Sequence, residues 1–351
     1  MLPIRRLLPL LLALSLGSYA SAADAPRTKP DPAQAAKAER AGAIKRLAFW
    51  SDALAKPLEQ RIGVAPKPLI EYIELDNQQQ GFPNRPRAPA LSADFLRDVR
   101  AALAGLPAPV RRAVAGKLAG IYFVDDLGGT GWTEEVVDAR GRPVAGVIVL
   151  DAAVLAKQRA NAWATWKENT PFKRDPRWRL AAQIEPPAQD NRVQAIQYIL
   201  LHELGHVLAI GTDLHPSSGV VPGDLPAQPP YPYYRLSWQV AQGRYVTRYD
   251  AHFAQRKDVV YYLGARLPGA QMADTYAGLG RTNFATLYAV TNPHDDFAEA
   301  FVTYVHTELM GRPFAVRIFH DNKQVLEYGA CWREPRCADK RKFIEGALGL
   351  K

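Results

Sequence analysis

Apolar residues change their spacing several times along the chain, and each change marks a predicted element. From Leu7 to Leu16 they run nearly unbroken, preceded by Arg5 and Arg6 and followed by the small residues Ala20, Ser21 and Ala22. This is the layout of an export leader, residues 1–22, cut after Ala22. The run is too short to span a bilayer and no later stretch reaches spanning length, so no stable membrane insertion is expected. Residues 23–46 are rich in Ala, Lys and Pro and contain little to bury, as in a flexible tether or a loosely attached helix. Alternation from Leu69 to Leu75 predicts a strand, and QQQGFPNRPRAPA after it a loop. Ser92 can cap a helix through about Ala104, and Pro107 can open another that ends at Gly120.

Three short β-rich runs follow, Ile121–Val124, Glu134–Val137 and Val144–Leu150, separated by turn residues, so they predict a sheet. A segment rich in Trp, Pro and charge, Trp163 to Pro187, reads as an insertion. Helical spacing then returns through Val193, Ile196, Leu200, Leu204 and Val207, with Asp190 or Asn191 as the cap and Gly211 as the stop. PAQPPYPYY, Pro226 to Tyr234, predicts an exposed loop, either surface decoration or one wall of a cleft. Near the C-terminus Asn292 can cap and Pro293 start a helix with an apolar stripe at Phe297, Phe301, Val305 and Leu309. The sum is an α+β domain, residues 47–351, with a sheet-bearing half at about 47–190 and a helical half at about 191–351.

Composition alters this picture in two places. With 48% hydrophobic residues the chain can build a full core, so general disorder is excluded. Loss of the leader removes two arginines and no acid, leaving 42 basic against 35 acidic residues, a charge of +7. Those charges are scattered rather than clustered with aromatic residues, which argues against nucleic acid and allows a weak attraction to anionic envelope polymers. Cys331 and Cys337 are the two cysteines, and in an exported chain their separation suits a local disulfide.

The chemistry concentrates in ILLHELGHVLAI, residues 199–210, where His202, Glu203 and His206 interrupt an apolar helix. Two histidines four apart share a helix face and can grip one ion. A Zn²⁺ so held keeps a position for water, and Glu203 could take the proton from that water. A core helix with two hydrogen-bonded histidines would leave Glu203 unexplained. Gly205 removes bulk between the ligands, where another element could approach. The longer pattern HExxHxxGxxH fails, since Ala209 and Thr212 stand at its last two positions. A third ligand must come from elsewhere. His215 is a weak candidate, and the helix opened by Pro293 is a better one, with Asp295 and Glu299 on one face. One of those two could bind metal while the other accepts a hydrogen bond from a liganding imidazole. Asp296 suits a solvated acidic helix start.

HELGH followed by Tyr288, Asp295 and FAEAF resembles the zinc peptidase domain of anthrax lethal factor and its relatives, including Pro-Pro endopeptidases and the Mlc titration factor group. The resemblance implies a gluzincin-type, zincin-like fold: a small mixed sheet, an active-site helix and a downstream helix bearing the third ligand. It makes Asp295 that ligand, Glu299 the partner of a liganding histidine, and Tyr288 a hydroxyl donor to the oxyanion. The chain departs from the family in having Asp where the family has Glu. A shorter carboxylate needs a closer helix, so Glu299 remains the alternative ligand. The match covers about 20 motif residues and does not extend to Ala23–Leu69.

The expectation is an exported zinc-dependent endopeptidase acting on a peptide or protein, with GGTGWTEEVV as the sheet edge to which an extended substrate adds. The alternatives are an amidase of cell-wall peptide cross-links and a zinc-holding binding protein without catalysis. A purely structural site would need no base beside its ligands and would be closed by a fourth residue. No GxSxG elbow supports a serine hydrolase.

Overall fold

The computed structural model describes residues 32–262 and 264–350. The leader read at 1–22 lies outside them. The axis of the fold is the motif helix, Arg192–Ala209, buried on almost every side. Its apolar residues are not confined to one stripe because both its flanks are covered, by a sheet on one side and by the acidic helix Pro293–Tyr304 on the other. Asn191 caps it, its side chain accepting from Gln194 N at 3.2 Å. At the far end Gly211 turns the chain with φ +68°, and Lys117 Nζ donates to the Ile210 and Leu208 carbonyls at 2.6 and 3.0 Å. A cation on the last carbonyls is favourable and fixes where the helix stops.

The covering sheet has β1 (Ile62–Val64), β2 (Leu118–Val124), β3 (Gly131–Val137) and β4 (Pro143–Asp151) in the order β1-β2-β4-β3. β1, β2 and β4 are parallel, and β3 runs antiparallel to β4. β3 is therefore an edge, as the GGTGWTEEVV stretch suggested. Gly146 in β4 lets the helix lie close: a methyl there would come within 2.6 Å of Ile210 Cδ1. Further along are β5 (Trp178–Gln183), β6 (Trp238–Ala241), β7 (Arg244–Thr247), β8 (Ala315–His320) and β9 (Lys323–Gly329). β5, β8 and β9 form a three-stranded antiparallel sheet, and β6 and β7 a separate hairpin. The α+β class is as expected. Among the described residues no helix is long and apolar enough to cross a membrane. Cys331 and Cys337 form the expected disulfide.

Several elements differ from the sequence reading. Leu69–Leu75 is not a strand but part of a helix, Lys67–Gln79, in which Leu69, Ile73 and Asn77 are buried at helical spacing and Pro68 sits in the first turn. The helix opened by Pro107 stops at Ala115, well before Gly120, because the apolar run from Leu118 is already β2. Trp163–Pro187 is no bare insertion, since helix Ala160–Asn169 reaches into it and β5 lies within it. The tether read at 23–46 is docked in its second half: helix Pro32–Ala43 lies against Lys67–Gln79 through Lys37–Glu74 at 2.7 Å and Arg40–Glu71 at 3.2 Å, and Ile44 is fully buried. The Pro226–Tyr234 loop is exposed only at first, and Tyr233 and Tyr234 turn into the core.

Candidate metal centre

His202 and His206 lie one turn apart on the motif helix with their Nε2 atoms 3.2 Å from each other. Asp295 Oδ1 approaches both, 3.6 Å from His202 Nε2 and 3.5 Å from His206 Nε2. These three side chains form a buried group that could hold a metal ion. Asp295 Oδ1 is buried and has no hydrogen-bond partner of its own, while Oδ2 accepts from Asn292 Nδ2. One oxygen orients the carboxylate and the other is left facing the imidazoles. Among the described residues no fourth His, Cys, Asp or Glu completes the group.

An aspartate reaches because the two helices touch backbone to backbone. A methyl on Gly205 would lie 2.8 Å from Ala298 Cα. The gap that a shorter side chain must bridge is closed by that glycine, and the rigid first turn is set by Asn292, whose Oδ1 accepts from Asp295 N at 2.9 Å.

Glu299, the alternative ligand, is not in the group. Its Oε1 lies 2.8 Å from His202 Nδ1, on the other edge of the ring, at a slant that leaves the ring nitrogen short of full hydrogen-bond geometry. Lys167 Nζ donates to the same oxygen at 2.7 Å and Thr286 Oγ1 to Oε2 at 2.6 Å. Both oxygens are thus committed, and Glu299 fixes the orientation of His202. His215 is also outside the group: its Nδ1 faces the Pro216 carbonyl at 2.8 Å. Asp296 is not solvated but fully buried, paired with Lys340 and accepting from Trp238 Nε1 at 2.9 Å. It ties the start of the acidic helix to helix Ala338–Ala347.

Burial alone would lower the His202 pKa, yet its contacts with Asp295 and Glu299 prevail and push it up to about 10. Burial would raise both carboxylates, but the two histidines hold Asp295 well below the usual range, and Lys167 and His202 pull Glu299 down to about 2. The cluster therefore draws in positive charge. A proton on His202 supplies it in the protein alone, and a divalent cation between the same atoms would take that place.

Glu203 is buried beside the group, and Thr133 Oγ1 on the edge strand donates to its Oε2 at 2.7 Å. Gly131 makes room for it: a methyl there would sit 2.7 Å from Glu203 Oε1. Glu203, His206 and Asp295 line a cleft of about 440 Å³ bounded by Trp132 and Thr133 on β3 and by Val220–Pro222 and Gly243–Tyr245. The proline-rich loop is not a wall of it. Tyr288 stacks on His202 with ring centres 5.7 Å apart, and its hydroxyl is buried without a partner. It lines a second, smaller cavity of about 40 Å³ with His202, Glu203, Lys167 and Tyr262.

His202, Glu203, His206, Asp295, Tyr288 and Glu299 are thus brought together as the motifs suggested. Thr133 and Lys167 were missed. Thr133 lay in a stretch already marked as an edge, but its partner is 70 residues away. Nothing local distinguishes Lys167, which lay in the supposed insertion. No protein family, curated protein or solved structure matches the chain.

Proposed function

We propose that this protein is an exported zinc-dependent endopeptidase of the gluzincin type with a zincin-like fold. The observation that carries this reading is the triangle of His202 Nε2, His206 Nε2 and Asp295 Oδ1, with sides of 3.2, 3.5 and 3.6 Å. Ligands about 2.0–2.1 Å from a tetrahedral zinc stand about 3.3–3.4 Å apart. The donor set is two imidazoles and a carboxylate, and the lack of a fourth ligand among the described residues favours a catalytic over a structural site. Zinc bound there supplies Lewis acidity, lowering the pKa of a water toward about 7 and polarising a carbonyl.

The chain's own groups divide the remaining work. Glu203, steadied by Thr133, accepts the proton of the attacking water and passes it to the leaving amine. Tyr288 presents a desolvated hydroxyl, held protonated by burial, that donates to the oxygen on which negative charge develops. The first half of the β3 edge, about Gly131 to Thr133, offers backbone groups to an extended peptide, the far end being taken up by Val137 N donating to the Lys45 carbonyl at 2.8 Å. Export is supported by the leader pattern of residues 1–22 and by the disulfide, a bond of oxidising compartments.

The test is a comparison of wild type with Glu203→Gln for bound zinc and for cleavage of a diverse peptide pool read by mass spectrometry. Both proteins should hold zinc, and the variant should cleave about 10²–10⁴-fold more slowly. If both hold zinc and neither cleaves, the enzyme reading falls and a zinc-holding binding protein takes its place.

A further inference from the structure

We infer that the enzyme reads the two residues flanking the scissile bond by size, a small uncharged one on one side and a large apolar one on the other, and that Tyr262 enforces the small side. The inference rests on the peptidase reading and deepens it. Two cavities meet at Glu203. The small one is lined by Ile199, His202 and Glu203 of the motif helix, the large one by Glu203, His206 and Ile210, so they are offset along the helix axis. At the edge strand the two spaces share Gly129 and Gly131, while Thr130 lines only the small one and Trp132, Thr133 and Glu135 only the large one. An extended peptide along β3 would present successive side chains to opposite faces, one toward each space.

The sizes are unequal. About 10–15 Å³ on this measure takes one water. At about 40 Å³ the small cavity takes a side chain of roughly one to three heavy atoms, as in Ala, Ser or Val, whereas about 440 Å³ is ample for Leu, Phe or Tyr. Of the small cavity's charged groups, Lys167 is paired with Glu299 at 2.7 Å and Glu203 accepts from Thr133 Oγ1 at 2.7 Å, so none is left over to attract an acidic or basic side chain.

Most of its walls cannot move, because Trp163, Ile199, Tyr288 and Glu299 are all buried. Tyr262 is different. It is half-buried, its ring lies 6.0 Å from Tyr288 and 5.6 Å from the exposed Trp166, and it holds φ +65°, a backbone conformation costly for an aromatic residue. Such strain persists where the surroundings impose it, and it gathers at functional sites.

The test uses metal-loaded full chain and a peptide library varied at both flanking positions, with cleavage sites read by mass spectrometry. Wild type should cut only where one fixed flanking position carries a small residue. Tyr262→Gly, which removes the ring and suits the positive φ, should raise the kcat/KM ratio of Leu over Ala at that position by about ten-fold or more and leave the other position unchanged. Trp166→Ala, on the surface, should shift it the same way by less, and it serves if Tyr262→Gly does not fold. The same order should appear as Kd when uncleaved peptides bind Glu203→Gln. Cleavage by wild type with bulky residues on both sides, or a ranking unmoved in both variants, overturns the size rule and leaves the peptidase standing. No cleavage at all by metal-loaded wild type removes the peptidase reading and this inference with it.

Discussion

Asp295 and Glu299 stand one helical turn apart and face opposite edges of the same imidazole, Nε2 and Nδ1. That single distinction separates a ligand from a residue that holds a ligand in place, and it gives the two substitutions different consequences. Asp295→Ala removes a donor atom and should abolish stable zinc binding. Glu299→Ala leaves three donors and should weaken binding about 10–100-fold. Competition with a chelator of known affinity measures both, and a larger loss from Glu299→Ala than from Asp295→Ala would reverse the roles. The core of this constellation was legible because its chemistry is local: two histidines and a glutamate within five positions need only a helix to converge. The choice between Asp295 and Glu299 was not, because it depends on how far apart two helices lie, and that distance is set by Gly205 against Ala298.

At the scale of elements, the close approach of those two helices predicts a sign. Gly205→Ala places a methyl 2.8 Å from Ala298 Cα, so the helices must part. Overpacking of this kind costs about 1–3 kcal/mol, and zinc affinity should fall further than stability because Asp295 moves with its helix. Gly42→Ala is the control: helix Pro32–Ala43 has open space there, and relief of glycine's entropy should stabilise by about 0.5–1 kcal/mol. Denaturant unfolding distinguishes the two, and equal effects would mean that the Gly205 contact is not tight. The elements that were read correctly carry their own start signals, such as the caps Ser92, Asn191 and Asn292. The misread ones lack them. Leu69–Leu75 is too short for alternation to exclude a helical period, and the polar run after it hides a helix that continues to Gln79. The region 163–187 has no steady apolar period because its helix packs Lys167 and Glu168 inward, charges that only distant partners make tolerable.

For the molecule as a whole, the site lies on the seam where the motif helix meets β3 on one flank and the acidic helix Pro293–Tyr304 on the other, and charged groups hold that seam together. Lys167 crosses it to reach Glu299, and Lys117 reaches from the start of β2 to the end of the motif helix. Behind them Lys340 pins Asp296 from the last helix. These contacts, with Phe297 and Phe301 fully buried in the core, need no ion, so the apoprotein should stay folded. Zinc would then act as an added clasp whose effect follows mass action: at a free concentration a hundred times Kd it contributes about 2.7 kcal/mol. Chelation should therefore lower the wild-type Tm without unfolding the protein at room temperature, and added zinc should restore it. Asp295→Ala should melt at the same temperature with and without chelator, because it has lost the clasp but kept the seam. Lys340→Ala should behave in the opposite way. It leaves a carboxylate buried without its partner, a loss of about 3–5 kcal/mol, yet its Tm should still respond to zinc. Thermal scans of the three proteins with and without chelator separate the terms, and a chelator response in Asp295→Ala equal to wild type would mean that the metal stabilises from some other place.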